Sequence, residues 1–290
     1  MPAWTYTDEQ SNDPHGTPII SEDGSLIFVN SQAGGGNYTP PNRNRLLAIN
    51  TDDGSLNWNY DFGSVSGIST PALAENGIIF FQTGYGDGQL YAINALSGAK
   101  LWSFNTGGNR KWWGTWPSPT VDIDGTVYIP GENNQNFYAI NPDGTLKWQD
   151  TGLGTNAWSV PAIDDSGNIY AYARGGYLKS YSRGGVLNWN SAQTASGSYA
   201  SHGPAILPNG TIFAPHDDTY FMVLNPTDGT VAWSYSTNRI QQNPAIDSNG
   251  NFYIANRTDP RYLHKIDSNG NMIWRVDMSG YLQFENDPVL

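Results

Sequence analysis

The 290-residue sequence contains no cysteine, few basic residues and no long apolar segment. Without cysteine there are no disulfides, thiolate metal ligands or cysteine nucleophiles. No run approaches the roughly 18 apolar residues of a membrane helix, so membrane insertion is not expected. Lys and Arg number 14 against 26 Asp and Glu, a net charge of −12. Because phosphate recognition relies on basic side chains, nucleic acid is not expected as a partner.

The residues that are present favour turns and strands. The chain has 33 Gly and is rich in Asn, Ser and Thr, a composition typical of all-β proteins. A polar surface with few lysines favours an exported protein, either extracellular or periplasmic. Residues 1–4 do not form a signal peptide, so any export signal is expected to lie outside this sequence.

Two hairpin patterns alternate along the chain. The first is a strand, a turn containing Gly and a strand that ends in Trp, at residues 46–58, 90–102, 137–148, 178–189, 221–233 and 263–274. The second precedes each copy of the first, at residues 17–30, 70–83, 118–131, 160–173, 203–216 and 243–256. Asp-Gly and Asn-Gly pairs supply the positive φ that tight hairpins need. Two hairpins make a four-stranded sheet, A to D, which is too small to bury its faces unless such sheets stack.

The spacing of the repeat predicts the fold class. Seven Trp residues in register with the repeat lie 41 to 54 positions apart, the length of a propeller blade: Trp4, Trp58, Trp102, Trp148, Trp189, Trp233 and Trp274. We therefore predict an all-β fold, a β-propeller of four-stranded antiparallel blades that forms a single domain over residues 1–290. Complete blades are expected at about 17–60, 70–104, 118–150, 160–191, 203–235 and 243–276.

A partial seventh blade is expected from both ends of the sequence. Residues 1–8 match strand D and residues 286–290 match strand A. Rings of six or eight blades remain alternatives. An incomplete blade would leave strand edges that are able to pair with another chain.

Two segments resemble the tryptophan-docking motif of the PQQ-like (quinoprotein-type, BamB-like) propeller repeat. They are Ala48-x-Asn50-x-x-Asp53-Gly54-x-x-x-Trp58 and Ala92-x-Asn94-x-x-Ser97-Gly98-x-x-x-Trp102. The resemblance implies that these Trp residues clamp adjacent blades. It covers nearly the whole chain but leaves activity open, because the family includes both alcohol dehydrogenases and outer-membrane assembly scaffolds. The dehydrogenases typically cover their quinone with adjacent cysteines, and their calcium ligands have no match here, so no cofactor and no metal are expected.

The two ends of each sheet differ in chemistry. The A–B and C–D turns are short and acidic, with thirteen acidic residues against Arg183, which favours a solvated surface. The B–C and D–A connections are longer and chemically mixed, and function on propellers tends to lie in such loops. We call these two ends of a sheet the turn side and the loop side. The loop side is the candidate functional surface.

Four Trp residues fall outside the repeat register, all in D–A connections. Together with nearby basic residues they predict a ligand site: Trp112, Trp113, Trp116, Trp158, Arg110, Lys111 and Arg174. Indole planes beside hydrogen-bonding side chains suit a glycan or a segment of a protein partner. The alternative that these rings cap the core under a long loop stays open.

Catalytic patterns are sparse. No G-x-S-x-G, H-E-x-x-H or phosphate-binding loop is present. His202, His216 and Asp217 are the acid–base candidates on the loop side, and with His15 and Asp218 they could form an acid–base or metal group. We therefore predict a non-enzymatic exported binding or scaffold module. A polysaccharide lyase or hydrolase is the alternative, and a PQQ-dependent oxidoreductase is less favoured.

Two acidic turns superficially resemble a calcium loop. They begin at Asp247 and at Asp267 and share the pattern Asp-Ser-Asn-Gly-Asn. They lack the downstream Glu and the flanking helices of an EF-hand, so hairpin turns are predicted.

Overall fold

The computed structural model describes thirteen stretches of the chain. They are residues 4–7, 13–32, 44–63, 66–85, 87–107, 118–131, 136–153, 159–173, 176–193, 203–215, 220–236, 244–256 and 260–279. Within these stretches all regular structure is β-strand, and the strands form six antiparallel sheets. No helix with the length and apolar character of a membrane span occurs in these stretches.

The chain divides into two compact units, Met1–Thr155 and Asn156–Leu290. The first unit contains sheets 1, 2 and 3. Sheet 1 consists of β1 (Asp13–Ile20), β2 (Leu26–Gln32), β3 (Asn44–Asn50) and β4 (Leu56–Gly63). Sheet 2 consists of β5 (Ser66–Ile68), β6 (Ala72–Leu73), β7 (Ile78–Tyr85), β8 (Gln89–Asn94) and β9 (Lys100–Asn105). Sheet 3 consists of β10 (Thr120–Val121), β11 (Val127–Pro130), β12 (Phe137–Ile140) and β13 (Leu146–Asp150).

The second unit contains sheets 4, 5 and 6. Sheet 4 consists of β14 (Ala162–Ile163), β15 (Ile169–Ala173), β16 (Tyr177–Tyr181) and β17 (Leu187–Gln193). Sheet 5 consists of β18 (Ala205–Ile206), β19 (Ile212–Pro215), β20 (Tyr220–Leu224) and β21 (Val231–Ser236). Sheet 6 consists of β22 (Ala245–Ile246), β23 (Phe252–Ala255), β24 (Tyr262–Ile266) and β25 (Met272–Asp277).

Strand A departs from the regular repeat in sheets 1 and 2. In sheet 2 it is divided into β5 and β6, which both pair with β7. The break lies at residues 69–71, where Pro71 has no N–H to contribute to a ladder. In sheet 1 the strand begins at Asp13, earlier than the predicted start at residue 17, because pairing resumes at His15↔Asn30 beyond an irregularity.

The core of each unit lies between successive sheets. One cluster joins sheets 1 and 2 through Phe28, Ile79 and Phe81, and another joins sheets 2 and 3 through Phe80 and Ile129. Corresponding clusters join sheet 4 to sheet 5 and sheet 5 to sheet 6. A single sheet therefore buries its faces only against its neighbours, as predicted.

Trp side chains fix the contacts between these sheets. Trp58 Nε1 donates to the carbonyl of Ala95 in the C–D turn of sheet 2, at 2.9 Å. Other Trp residues donate from Nε1 to a carbonyl of a C–D turn in the same way. In the first unit these bonds are Trp102 to Pro142 O (2.8 Å) and Trp4 to Thr51 O (2.7 Å). In the second unit they are Trp189 to Pro226 O (2.8 Å) and Trp233 to Ser268 O (3.0 Å). The predicted clamp between sheets is confirmed at Trp58, Trp102, Trp189 and Trp233, and Trp4 makes the same contact with sheet 1 from outside the strands.

Each of the five indoles also lies against a Gly of that turn. A Cβ on Gly98 would lie 2.7 Å from Trp58 Cδ2, and one on Gly144 would lie 2.7 Å from Trp102 Cδ2. The corresponding pairs are Gly54 with Trp4, Gly229 with Trp189 and Gly270 with Trp233. Gly is needed here twice, since its φ is positive (69° at Gly98) and the indole occupies the space of a side chain.

The remaining two register Trp residues are Trp148 and Trp274. Trp148 packs within its own sheet, 5.8 Å from the ring of Tyr128 and 5.7 Å from that of Phe137. Trp274 is 37% exposed. The all-β fold and the six sheets are confirmed. The partial seventh blade stays a prediction, since residues 4–7 carry no strand assignment and residues 1–3, 8–12 and 280–290 lie outside the described stretches.

Candidate functional site

The residues chosen from the sequence as a binding site lie outside the described stretches. This holds for Trp112, Trp113, Trp116, Trp158, Arg110, Lys111 and Arg174 and equally for His202, His216, Asp217 and Asp218. His15 lies in β1, where only the backbone is described. The geometry of the loop side is therefore built here from the strand ends that flank those connections.

On the turn side the carboxylates are occupied by their own turns. Asp53 Oδ1 accepts the Ser55 N–H at 2.9 Å and its hydroxyl at 2.7 Å. Asp143 and Asp228 make the same pair of bonds to Thr145 and Thr230. These bonds lower the pKa of Asp53, Asp143 and Asp228. The carboxylates of these turns therefore stabilise their own hairpins.

The two turns that resemble calcium loops behave alike. Asp247 Oδ1 accepts the N–H groups of Asn249 (3.0 Å) and Asn251 (2.9 Å), and the Asn251 amide and the Tyr253 hydroxyl donate to Oδ2. Asp267 is bonded similarly to Asn269 and Asn271. Among the described residues no group of three or more His, Asp or Glu is placed to hold a metal ion. The hairpin interpretation of both turns is confirmed.

An open cleft of about 630 Å³ lies on the turn side between sheets 4 and 5. Its polar lining includes Asp164, whose oxygens already accept from the N–H and the side-chain amide of Asn168, each at 2.8 Å. The Tyr170 hydroxyl also donates to Asp164 at 2.8 Å. The Asp164 carboxylate therefore stabilises its own hairpin at the edge of this cleft.

The loop side of the first unit carries a buried polar network. Asn30 Nδ2 donates to Ser69 O at 2.6 Å, and the Gln82 N–H donates to Ser69 Oγ at 2.8 Å. Gln82 Nε2 donates to Thr106 Oγ1 at 2.7 Å. This network joins sheets 1 and 2 where strand B ends. The side-chain oxygens of Asn30 and Gln82 are buried and have no hydrogen-bond partner among the described residues.

Beside this network lies a cluster of hydroxyl, carboxylate and aromatic groups, which we call the Asp87 cluster (Tyr60, Phe62, Thr83, Asp87 and Tyr91). Thr83 Oγ1 donates to Asp87 Oδ1, and the Tyr91 hydroxyl donates to Asp87 Oδ2 at 2.5 Å. Thr83 Oγ1 in turn accepts the Gln89 N–H at 3.1 Å. Both carboxylate oxygens are thus fixed by side chains of β7 and β8, at the B–C connection of sheet 2.

Aromatic rings surround that carboxylate. The ring centroid of Tyr60 lies 6.1 Å from that of Tyr91 and 5.2 Å from that of Phe62. Burial and then Asp87 raise the pKa of Tyr60, and burial and the hydrogen bond to Asp87 raise the pKa of Tyr91. Both phenols therefore stay protonated. A half-buried anion between aromatic faces is suited to bind a cationic side chain.

In the second unit, one buried histidine occupies the loop-side half of a contact between sheets. His264 is 5% exposed, and its Nδ1 lies 3.0 Å from the Tyr235 hydroxyl. Burial and the neighbouring Arg275 lower the pKa of His264. Phe104 and Tyr138 form the corresponding contact in sheets 2 and 3, so the position of His264 is a packing position.

Sequence reasoning missed both groups. The signal for the Asp87 cluster is Asp87 followed four residues later by Tyr91, which brackets the start of strand C. Its third member, Tyr60, comes from sheet 1, and nothing in the local sequence links it to Asp87. His264 was the histidine left out of the catalytic candidates, and no local pattern marks it.

The sheets and the indole contacts are those of a β-propeller protein of the PQQ-like repeat class. The sequence model of the family described as outer membrane protein assembly factor BamB matches residues 3–235. The chain therefore belongs to this family. A search of the curated proteins found no match.

Solved structures agree with this fold. BamB from Moraxella catarrhalis is 18% identical with a TM-score of 0.73, over 97% of this chain and 81% of that protein. A europium-containing methanol dehydrogenase is 12% identical, with a TM-score of 0.70 over 94% of this chain and 70% of that one. The quinohemoprotein alcohol dehydrogenase from Comamonas testosteroni is 13% identical, with a TM-score of 0.66 over 92% and 61%. At such identities these likenesses show the fold alone.

Proposed function

We propose that this protein is a non-enzymatic, exported scaffold, periplasmic or extracellular, whose loop side binds a segment of a protein partner. The description of its family as an assembly factor supports a protein-binding role. The Asp87 cluster carries the proposal because it combines a fixed carboxylate with aromatic faces on the loop side of sheet 2. The partner segment is then basic.

Electrostatics favour such a segment. The net charge of −12 attracts basic partners over long distances. At the cluster, Tyr60 and Tyr91 give flat, half-buried surfaces of the kind enriched where interfaces bind most strongly. A Lys or Arg side chain would meet both a negative charge and aromatic rings.

The same geometry disfavours a catalytic role for the cluster. Both Asp87 oxygens already accept hydrogen bonds from hydroxyl groups, and the raised pKa of Tyr91 keeps its phenol protonated near neutral pH. A general base needs a lone pair directed at substrate and a pKa near the working pH. The cluster is therefore better suited to binding.

The test uses an array of ten-residue synthetic peptides that carry graded numbers of Lys and Arg. We expect the purified protein to retain the basic peptides, and Asp87→Asn to weaken their binding at least about fivefold, equivalent to about 1 kcal/mol. Asp228→Asn is the matched control, since it removes one carboxylate from the turn side. Equal affinity of the two variants would refute the assignment. Binding should also weaken with added salt.

A glycan ligand is tested separately at the site chosen from the sequence, Trp112, Trp113, Trp116 and Trp158 with Arg110, Lys111 and Arg174. Indole planes beside basic side chains support this ligand class. The protein and its Trp112→Ala/Trp158→Ala variant are applied to a glycan array. Retention that the double variant loses would favour a glycan, whereas no retention by either would leave the protein segment as the ligand.

A further inference from the structure

The Asp87 carboxylate is held in one orientation by two hydroxyl groups. Thr83 Oγ1 in β7 donates to Oδ1, and the Tyr91 hydroxyl in β8 donates to Oδ2 at 2.5 Å. No other donor to this carboxylate occurs in the described part of the chain. Since each carboxylate oxygen has two lone pairs, one lone pair remains on each. Rotation of the group would break both bonds, so the two remaining lone pairs point in fixed directions.

The aromatic rings beside this carboxylate are packed against one another. The ring centroid of Phe62 lies 5.2 Å from that of Tyr60 and 6.0 Å from that of Tyr91. Tyr91 is also stacked on Phe81, at 5.4 Å. Rings at these separations are in contact, whereas a quaternary ammonium ion is bound in a cage of rings that stand apart around it. There is no such space between these four rings, so a cation has to lie on their outer surface.

A planar cation fits this surface better than a spherical one. The guanidinium group of Arg carries its N–H donors in a rigid fork that matches the two oxygens of a carboxylate, and its flat face stacks on aromatic rings. The ammonium group of Lys is a compact, strongly hydrated charge. Asp87 and Tyr60 are both half-buried, so a cation bound between them loses part of its water. That loss costs a guanidinium group less than an ammonium group.

We propose that the Asp87 cluster selects arginine over lysine in the basic segment of its partner. Two N–H groups of the guanidinium edge bond to the remaining lone pairs of Asp87, and the guanidinium plane lies against the Tyr60 ring. This selectivity rests on the proposed function, because it requires that a basic segment binds at the cluster. It would be absent if the site attracted every positive charge equally.

One cation of the chain already lies at the edge of the cluster. Lys100 is exposed, and its Nζ lies 5.8 Å from the centroid of the Tyr91 ring. Among the described residues no Lys or Arg forms an ion pair with Asp87, so the charge of this carboxylate is available to a partner. Because Lys100 repels any cationic segment, its removal raises affinity without changing the preference for one cation over another.

The test compares four ten-residue peptides that differ only at the central residue, which is Arg, Lys, citrulline or trimethyllysine. Citrulline keeps the plane of Arg without its charge, and trimethyllysine keeps a charge without N–H donors. Each peptide carries a fluorescent label, and its affinity for the full-length protein is measured by fluorescence polarisation. We expect the Arg peptide to bind at least about fivefold more tightly than the Lys peptide. The other two peptides should bind more weakly than the Arg peptide.

Variants of the protein separate the fork from simple charge attraction. Tyr91→Phe removes the hydroxyl that orients Asp87 Oδ2 but keeps the ring and the carboxylate, so the preference for Arg should fall below about twofold. Thr83→Val removes the bond to Oδ1 and should give the same result, while both variants still bind the Lys peptide. Lys100→Met should raise the affinity for both peptides and leave their ratio unchanged. Tyr235→Phe is the matched control, since it removes a phenol hydroxyl in the second unit and should change neither affinity.

The outcomes distinguish the selectivity from the proposed function. Equal affinity for the Arg and Lys peptides, with both weakened by Asp87→Asn, would overturn the selectivity and leave the binding of a basic segment intact. Tightest binding of the trimethyllysine peptide would also overturn it, because that requires an open aromatic cage. An unchanged preference for Arg in both Tyr91→Phe and Thr83→Val, each shown by circular dichroism to be folded, would refute the role of the oriented carboxylate. If no peptide binds the wild type, the proposed function and the selectivity both fail.

Discussion

Gly98 gives the most direct test of the indole contact between sheets. A Cβ added there would lie 2.7 Å from Trp58 Cδ2 and 2.8 Å from Cε3, and the φ of 69° is unfavourable for any L residue. Gly77 in the same sheet has a φ of 75° and nothing within 4 Å of the added Cβ. Gly98→Ala and Gly77→Ala therefore share the backbone penalty and differ in the indole contact.

The expected difference in stability combines three contributions. The left-handed backbone costs each Ala about 1–2 kcal/mol, which cancels in the comparison. Overpacking adds about 1–3 kcal/mol at Gly98, and displacement of Trp58 weakens a hydrogen bond to Ala95 O that contributes about 1 kcal/mol. We expect Gly98→Ala to be less stable than Gly77→Ala by about 2–4 kcal/mol.

Thermal melting followed by far-UV circular dichroism measures this difference. With about 2–4 °C per kcal/mol for chains of this size, Gly98→Ala should melt at least about 4 °C below Gly77→Ala. In a Trp58→Leu background the penalty at Gly98 should shrink, because the colliding ring is gone and the two substitutions are coupled. Equal melting temperatures, or strictly additive losses, would refute the argument.

Two further predictions concern pH. Since the folded pKa of His264 lies below its usual value of 6.5, the unfolded chain takes up the proton first, so Tm should fall as pH drops below about 6.5. His264→Tyr, which restores the residue type of Tyr91 and Tyr138, should flatten the melting profile between pH 7.5 and 5.5, and an unchanged slope would contradict this. The pKa of Asp247 is lowered to about 2 by the bonds from Asn251, so its contribution is present above pH 3.8 and is lost as pH falls towards 2. Asp247→Asn should therefore lower Tm more at pH 7 than at pH 2.5, and equal losses at the two pH values would count against the role of the charge.

Much of the fold could be predicted from the sequence because its determinants are local. An Asp-Gly or Asn-Gly pair fixes a hairpin by its own backbone, as at Gly24 and Gly125, and alternating apolar residues then fix which faces are buried. The Trp that recurs at the end of each repeat likewise allowed the contacts between sheets to be predicted. The division of the inner strand of sheet 2 at Pro71 was not predicted, since a two-residue strand leaves almost no periodicity to detect.

The candidate site was harder to predict because its members meet only after folding. Tyr60 and Asp87 belong to different sheets, and the raised pKa of Tyr60 has no local cause in sequence. At Trp274 the sequence instead predicted a contact that the structure does not show. Its repeat matches the others, so sequence treats it as another clamp, while its exposure depends on which sheet packs against it in space.

The indole contacts also have a direction. In each one the Trp precedes its acceptor carbonyl, by 35 residues for Trp233 and by 47 for Trp4. During synthesis at about 5–20 residues per second, an indole leaves the ribosome roughly 2–9 seconds before the turn that receives it. The indole of a newly made repeat therefore stays uncovered until the next repeat has been synthesised. If the ribosome stalls between two repeats, that ring is accessible to chaperones.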